Sequence, residues 1–322
     1  MTTSTPLIDI TVIIVNYNTA HLLADAIGAL RVSGQGMQLQ TVVVDNASRD
    51  GSAEVIRTKF TDCDFISNSV NVGFGRANNQ ALPLVRGRYV LLLNTDAFVA
   101  AETLSRTAAY MDAHPKCGVL GVRLVGRDGA LQPSCRYFPT PWSVFIGRIG
   151  IDRFFPGTRL MDDMKWDHDS TRECDWVPGC YYLVRKEVID AVGLFDPRYF
   201  LYFEEVDHCR AVKAAGWTVD YFPDTTVVHI GGESAKSDSK LTSTSAQISD
   251  LQVESEMLYF RKQYGRSGVW SALVLASIAD VVLALKLVLR NRSTRGMGGY
   301  ARHIGVSWSL FRRTAWATRS TR

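Results

Sequence analysis

Ile10-Thr11-Val12-Ile13-Ile14-Val15-Asn16-Tyr17-Asn18 decides the fold. Ile10–Val15 is short, rich in β-branched residues and without polar alternation, which predicts a strand buried on both faces. It stops at the polar turn Asn16-Tyr17-Asn18-Thr19, and Leu22, Leu23, Ala26, Ile27 and Leu30 then recur on roughly one helical face. The same unit repeats downstream. Thr41–Val44 ends at Asp45-Asn46-Ala47-Ser48 and leads into a helical Ser52–Phe60. Asp64–Ser67 precedes the Gly-rich turn Asn71-Val72-Gly73-Phe74-Gly75, and Arg88–Leu93 ends at Asn94-Thr95-Asp96. Apolar strands alternating with helices predict an α/β fold whose mostly parallel sheet is covered on both faces. Ligands on such sheets bind beyond the carboxyl ends of the strands, where these polar turns lie.

Farther along, Val119–Leu124 and Tyr181–Arg185 read as strands among proline-punctuated loops. Glu187–Val192 and Asp207–Ala215 read as helices, and Trp217–Phe222 and Thr225–His229 as two closing strands. The Ser/Thr-rich stretch around 236–250 is expected to be a flexible loop. The expected organisation is a catalytic domain over 1–235, this loop, and a helical C-terminal extension over 251–322. No internal repeat is visible.

The 322 residues are 46% apolar and 21% charged, a globular balance that excludes disorder and a multi-span transporter. Six scattered cysteines without a CxxC pair read as reduced thiols of a cytosolic protein. The N-terminal stretch has no basic flank and no secretory-type apolar core. The net charge of +4 hides a division. No acidic residue follows Asp280, whereas nine Lys and Arg do; residues 1–280 carry 27 basic against 32 acidic side chains, a net of −5. A mildly acidic body thus bears a strongly basic tail.

Several residues suit chemistry. Asp96, at the end of a strand, can hold a hard divalent cation against a diphosphate, or simply begin a turn. Asp45 can accept the N3–H of a pyrimidine, or serve turn and cap chemistry. Gly73 and Gly75 permit close backbone approach to a ligand, but neither a Walker A pattern nor a complete GxGxxG is present. Glu204-Glu205-Val206-Asp207, beside the aromatic run Tyr199–Phe203, suits either the first turn of a helix or a general base tuned by burial and a like-charged neighbour. His229 ends a strand before Ile230-Gly231-Gly232, as a structural histidine or a cation ligand.

In order, Asn-Tyr-Asn, Asp-Asn-Ala-Ser, Asn-x-Gly-Phe-Gly, Leu-Leu-Leu-Asn-Thr-Asp, Trp-Val-Pro-Gly, Phe-Glu-Glu-Val-Asp and His-x-Gly-Gly-x-Ser resemble the family-2 inverting glycosyltransferases of the GT-A fold. The likeness is to the bacterial rhamnosyltransferase branch and covers about residues 8–235. Met257–Gly265 is similar to a segment following the catalytic domain there. The resemblance implies a Rossmann-like, mostly parallel mixed sheet flanked by helices. It implies a nucleotide site at Val15, Asn16, Tyr17, Asp45, Asn71, Gly73, Phe74, Asn94 and Thr95, and Trp176, Pro178 and Gly179 on the sugar and acceptor side. Asp96 matches the last acid of the metal motif, with Asn94 in place of the first, so Mg²⁺ or Mn²⁺ would rest on Asp96 and His229. Glu204-Glu205 matches the catalytic acidic pair. Glu205 is the base by position, with Glu204 and Asp207 as the alternatives.

The implied reaction is inverting transfer of a sugar from a dTDP- or UDP-sugar to a lipid-linked saccharide, with dTDP-rhamnose as the branch's donor and a UDP-hexose or UDP-N-acetylhexosamine as the other choice. Two rival classes are weaker. A sugar nucleotidyltransferase needs a Gly-rich, Arg- and Lys-bearing loop where Asn16–His21 stands, and a non-catalytic carbohydrate- or lipid-binding relative would not need the acids. For the tail, one reading is helices packed on the protein, with a homodimer contact. The other places Ile304, Trp308, Phe311 and Ala315, flanked by arginines, against an anionic membrane on the cytoplasmic side. No nucleic-acid motif accompanies the charge.

Overall fold

A computed structural model describes residues 7–163, 165–231, 245–291 and 296–322. The first strands are β1 (Ile10–Asn16), β2 (Leu39–Asp45), β3 (Asp64–Ser67), β4 (Tyr89–Asn94) and β5 (Ala97–Val99). Helices α1 (Ala20–Ser33), α2 (Ser52–Lys59), α3 (Phe74–Gln80) and α4 (Thr103–Ala113) accompany them. There follow β6 (Cys117–Val125), β7 (Leu131–Gln132), α5 (Pro141–Ile149), β8 (Arg172–Glu173), β9 (Tyr181–Arg185), α6 (Lys186–Val192), α7 (Glu204–Ala214) and β10 (Thr218–His229). The chain closes with α8 (Ser245–Asn291) and α9 (Met297–Arg313).

Among the described residues, ten strands form one mixed sheet ordered β3-β2-β1-β4-β9-β6-β10-β5, with β7 on β6 and β8 on β10. The first four strands are mutually parallel. β9 then runs antiparallel to β4 and β6. On β1 and β4, Ile10, Val12, Ile14, Leu91 and Leu93 on one face and Ile13, Val90 and Leu92 on the other are at most 1% exposed, as the unbroken apolar runs require of a sheet covered on both faces. The chain divides into two compact units. The first holds the sheet with α1–α4, α6 and α7. The second holds α5, α8, α9 and the short segment Arg198–Phe203.

Three expectations shift. The two closing strands are one, β10, whose register against β6 slips between Phe222 and Thr226. Pro223 lies in that slip, where it costs no ladder hydrogen bond. α7 starts three residues before the expected Asp207, at Glu204, so all three candidate acids fall in its first turn, where the helix favours negative charge. Of the expected Ser/Thr-rich loop, residues 236–244 lie outside the described residues, and the backbone is already helical from Ser245.

Within the second unit, α5 begins with a capping box. The Ser143 N–H donates to Thr140 Oγ1 (3.0 Å), the Thr140 N–H donates to Ser143 Oγ (3.0 Å), and Pro141 occupies the first turn, where its missing N–H is harmless. Gly265, at φ 69°, interrupts α8. α5, α8 and α9 enclose a cavity of about 280 Å³ lined by Val144, Phe145, Leu273, Arg148 and Glu256. Burial pushes the Glu256 carboxyl up to about 7, against the pull of the Arg148 charge. An unfolded glutamate titrates near ~4.3. The folded state therefore holds the proton more tightly, and its stability relative to a non-titrating side chain declines as pH rises from that value to about 7. Glu256→Gln should show a thermal midpoint whose advantage over wild type grows across that window and levels off above it. A difference that stays flat with pH would contradict the raised Glu256 carboxyl.

Candidate functional site

Parallel pairing aligns the carboxyl ends of the strands. Asn16 stands opposite Asp45, Val15 opposite Asn94, and Asp45 opposite Ser67. Buried Asn16 is a hub there. Its Nδ2 donates to Asp45 Oδ1 (2.9 Å) and Ser48 Oγ (3.0 Å), and its Oδ1 accepts from the Thr19 hydroxyl (2.8 Å). That hydroxyl lies 2.8 Å from Thr95 Oγ1, so the turns after β1 and β4 are tied together. The Ser48 N–H donates to Asp45 Oδ2 (3.2 Å), leaving each Asp45 oxygen one lone pair for a further donor.

A second hub, Asn46, was not singled out by the sequence. Its Oδ1 accepts from the Val72 N–H (3.0 Å) and Asn68 Nδ2 (3.1 Å), and its Nδ2 donates to Asn71 Oδ1 (2.9 Å). The Asn71–Gly75 turn is thus fastened beside the end of β2. Gly73, at φ 90°, adopts there a backbone that a side chain would strain. Val15, Tyr17, Asn71, Phe74 and Asn94 keep partial exposure along this edge, as a ligand-facing rim requires, while Asn16, Asp45 and Thr95 are buried beneath it.

Asp96 and His229 also meet. β5 pairs with β10 so that Ala97 faces His229, and His229 Nε2 lies 3.6 Å from Asp96 Oδ1. Burial pushes the imidazole below its ordinary range, although the Asp96 charge opposes the shift. The neutral ring's Nδ1–H donates to Gln132 Oε1 (2.9 Å), and Gln132 Nε2 returns a bond to the His229 carbonyl (2.8 Å). This leaves the Nε2 lone pair toward the Asp96 carboxylate, a nitrogen–oxygen donor pair that suits Mg²⁺ or Mn²⁺. Among the described residues no cluster of three or more such side chains exists, so a cation here would take its other ligands from substrate and water.

Glu205 sits one residue into α7. Burial raises its carboxyl above the ordinary glutamate range. The N–H groups of Glu205, Val206 and Gly179 and the Arg136 charge pull the other way. Its Oε2 is buried and accepts no hydrogen bond from a described residue. Gly179 comes so close to Phe74 that a Cβ there would lie 3.3 Å from the ring. Arg136 stacks 4.9 Å above the Trp176 ring, and its backbone pairs with Trp176. The Trp176–Gly179 segment therefore borders the carboxylate on one side. Burial pushes the Cys180 thiol up, and the Asp96 charge and, more weakly, that of Glu205 add to the shift. Glu204 and Asp207 are 3% and 4% exposed, respectively. α7 is held in place by His208. Its Nδ1 accepts from the Tyr182 hydroxyl (2.6 Å) and its Nε2–H donates to the Gly193 carbonyl (3.0 Å), while burial pushes the ring down to about 4. Arg136 and Gln132 had no motif to mark them, and Asn46 stood in the Asp-Asn-Ala-Ser motif without a role assigned to it; each acts through partners at least 22 residues away in sequence.

Residues 11–161 match the family model described as Glycosyl transferase family 2. Among curated proteins, the N-acetylglucosaminyl-diphospho-decaprenol L-rhamnosyltransferase of Mycobacterium tuberculosis is 25% identical over 68% of this chain and 75% of its own length. Rhamnosyltransferase WbbL of Escherichia coli is 28% identical over 53% of this chain and 65% of its own. Among solved structures, residues 1–349 of Staphylococcus aureus TarS share 15% identity over 96% of this chain and 91% of that one, with a TM-score of 0.52. The mannosyltransferase PcManGT of Pyrobaculum calidifontis, solved with GDP-Man and Mn²⁺, shares 16% identity over 98% of this chain and 89% of its own, with a TM-score of 0.55.

Proposed function

Since this chain carries a glycosyltransferase family 2 domain on a GT-A fold and is a glycosyltransferase, we propose that it transfers L-rhamnose from dTDP-rhamnose, with inversion, to a hydroxyl of a polyprenyl-diphosphate-linked saccharide. The observation that carries the reading is Glu205: a carboxylate in the first turn of α7 whose buried Oε2 accepts no hydrogen bond from a described residue and whose proton affinity burial raises. Its Oε2 takes the proton of the acceptor hydroxyl as that oxygen attacks the anomeric carbon from the face opposite the diphosphate. The new glycosidic bond forms as the bond to the diphosphate oxygen breaks, and the nucleoside diphosphate departs.

Asp45 uses a remaining lone pair for the pyrimidine N3–H. Asn16, Tyr17, Asn71, Gly73, Phe74, Asn94 and Thr95 line the nucleotide, and Trp176, Pro178 and Gly179 the sugar. Asp96 and His229 would hold Mg²⁺ or Mn²⁺, which supplies electrostatic stabilisation to the leaving diphosphate. The rhamnosyltransferase names of two relatives support the transferred sugar, and the diphospho-decaprenol in one of those names supports the lipid-linked acceptor; such an acceptor puts the enzyme at the inner face of the cell membrane. Uracil and thymine present the same N3–H, so a UDP-hexose or UDP-N-acetylhexosamine is the competing donor.

Thermal unfolding with dTDP-rhamnose, UDP-glucose and UDP-N-acetylglucosamine, each with and without Mn²⁺, tests this reading; the donor should raise the midpoint, and more so with the cation. Asp96→Ala should abolish the Mn²⁺-dependent part and weaken donor binding by at least the roughly 10–100-fold typical of an outer-shell partner. Unchanged metal dependence would remove Asp96 from the cation site.

A further inference from the structure

α8 past Gly265 is apolar on every side, and the structure divides its circumference in two. Val269, Leu273, Ala279, Asp280 and Ala284 are buried, and the helix packs against α5 and α9. The opposite line, Trp270, Val274, Ile278, Val281, Leu285 and Leu289, repeats every three to four residues and lies open, from 41% exposed at Trp270 to 79% at Leu289. At 1.5 Å per residue this stripe is about 30 Å long. A helix apolar all round belongs in a core or a bilayer, and the protein buries only half of this one.

The face expected to meet the membrane turns inward instead. On α9, Phe311 is 3% exposed, and the Trp308 Nε1–H donates to Ser277 Oγ on α8 (3.2 Å). The rings of Trp308 and Phe311 both lie edge-on to Trp270. The arginines of α9 remain outside: Arg302, Arg312 and Arg313 are exposed, as are Arg319 beyond it and Arg266 and Arg290 at the two ends of the stripe.

We infer that the exposed stripe of α8 is a docking surface for an anionic phospholipid bilayer, with the helix lying in the plane of the membrane and the arginines engaging lipid headgroups. This deepens the reading of a lipid-linked acceptor and rests on it. α8 is long and apolar enough to cross a bilayer, but crossing would strip the protein from its other face. Asp280 on that face pairs with Arg148, and Lys286 donates to the Ile149 carbonyl at the end of α5 (2.6 Å). The charge selects lipid over a second copy. A two-fold contact would set the stripe against itself and bring the exposed Arg266 and Arg290 at its ends against their like-charged copies.

Co-sedimentation of the full chain with phosphatidylcholine vesicles, with and without phosphatidylglycerol, tests the inference. Wild type should bind the anionic vesicles, less so at high salt. Ile278→Asp/Leu285→Asp, at exposed positions, should keep the wild-type circular dichroism and lose about 100-fold or more in vesicle affinity. Arg312→Gln/Arg313→Gln should lose about 30-fold on anionic vesicles only. Bilayer-embedded bromolipid should quench wild-type fluorescence, and less so in Trp270→Phe. Aspartate variants that bind as wild type does would overturn the proposal. So would a wild-type dimer that those variants dissociate with vesicle binding unchanged, which would make the stripe a subunit contact. Release of nucleoside diphosphate on a detergent-dispersed lipid-linked acceptor is read in parallel. Absent release with intact vesicle binding defeats the enzymatic reading alone, and release with stripe-independent binding defeats the docking surface alone.

Discussion

Glu205→Gln should lower kcat by about 10²–10⁴ while leaving donor affinity near the wild-type value. The amide keeps the shape of the side chain, and its carbonyl oxygen can still accept the Gly179 N–H, so α7 stays in place. What it loses is the ability to take a proton. The pH profile gives a second readout. A base works deprotonated, and burial raises the proton affinity of Glu205, so kcat should fall on the acid side at a pH above the ordinary glutamate range. That limb should persist in Glu204→Gln and Asp207→Asn, whose turnover should drop less. Nucleotide-release kinetics across pH on the three variants checks this. If Glu205→Gln keeps most of its turnover while one of the others loses it, the base is that other acid.

What the sequence made legible follows the range of the interactions. β1, β2 and β4 were readable because an unbroken apolar run needs only its own residues to announce a doubly covered strand, and the turns after them fall at the sheet edge by topology alone. Glu205 and Asp96 were readable as types at strand and helix ends. Their environment was not. The Gly179 N–H on Glu205, the Arg136 charge and the Gln132 bond that fixes the His229 tautomer all come from distant segments. β10 misled because Pro223 reads as a break, whereas the ladder absorbs it in a register slip. The tail misled differently. Both α8 and α9 have an apolar face, and periodicity cannot say which of them is spent on the other. Packing decides it: α9, with one apolar face, uses it on α8, and α8, with two, has one left over.

The same packing gives the largest expected effect on stability. Asp280 is wholly buried. Its carboxylate pairs with Arg148 of α5 and accepts from His303 Nδ1 of α9 (2.7 Å), so one side chain of α8 ties all three helices. Asp280→Ala leaves the Arg148 guanidinium, whose side chain is 27% exposed, without its counter-charge in a partly dry setting. Breaking a buried pair by removing one partner costs about 3–5 kcal/mol, and the partial exposure of Arg148 places this one nearer ~2–3 kcal/mol. The helical unit should therefore unfold at a clearly lower urea concentration than wild type, seen by the fluorescence of Trp270 and Trp308. Arg148→Met/Asp280→Leu removes both charges and should recover most of the loss, because an apolar pair pays no desolvation. Recovery in the double variant separates a paired charge from a mere packing defect: if Asp280→Ala and the double variant are equally destabilised, the volume of the side chain, and not its ion pair, is what holds α8 to its neighbours.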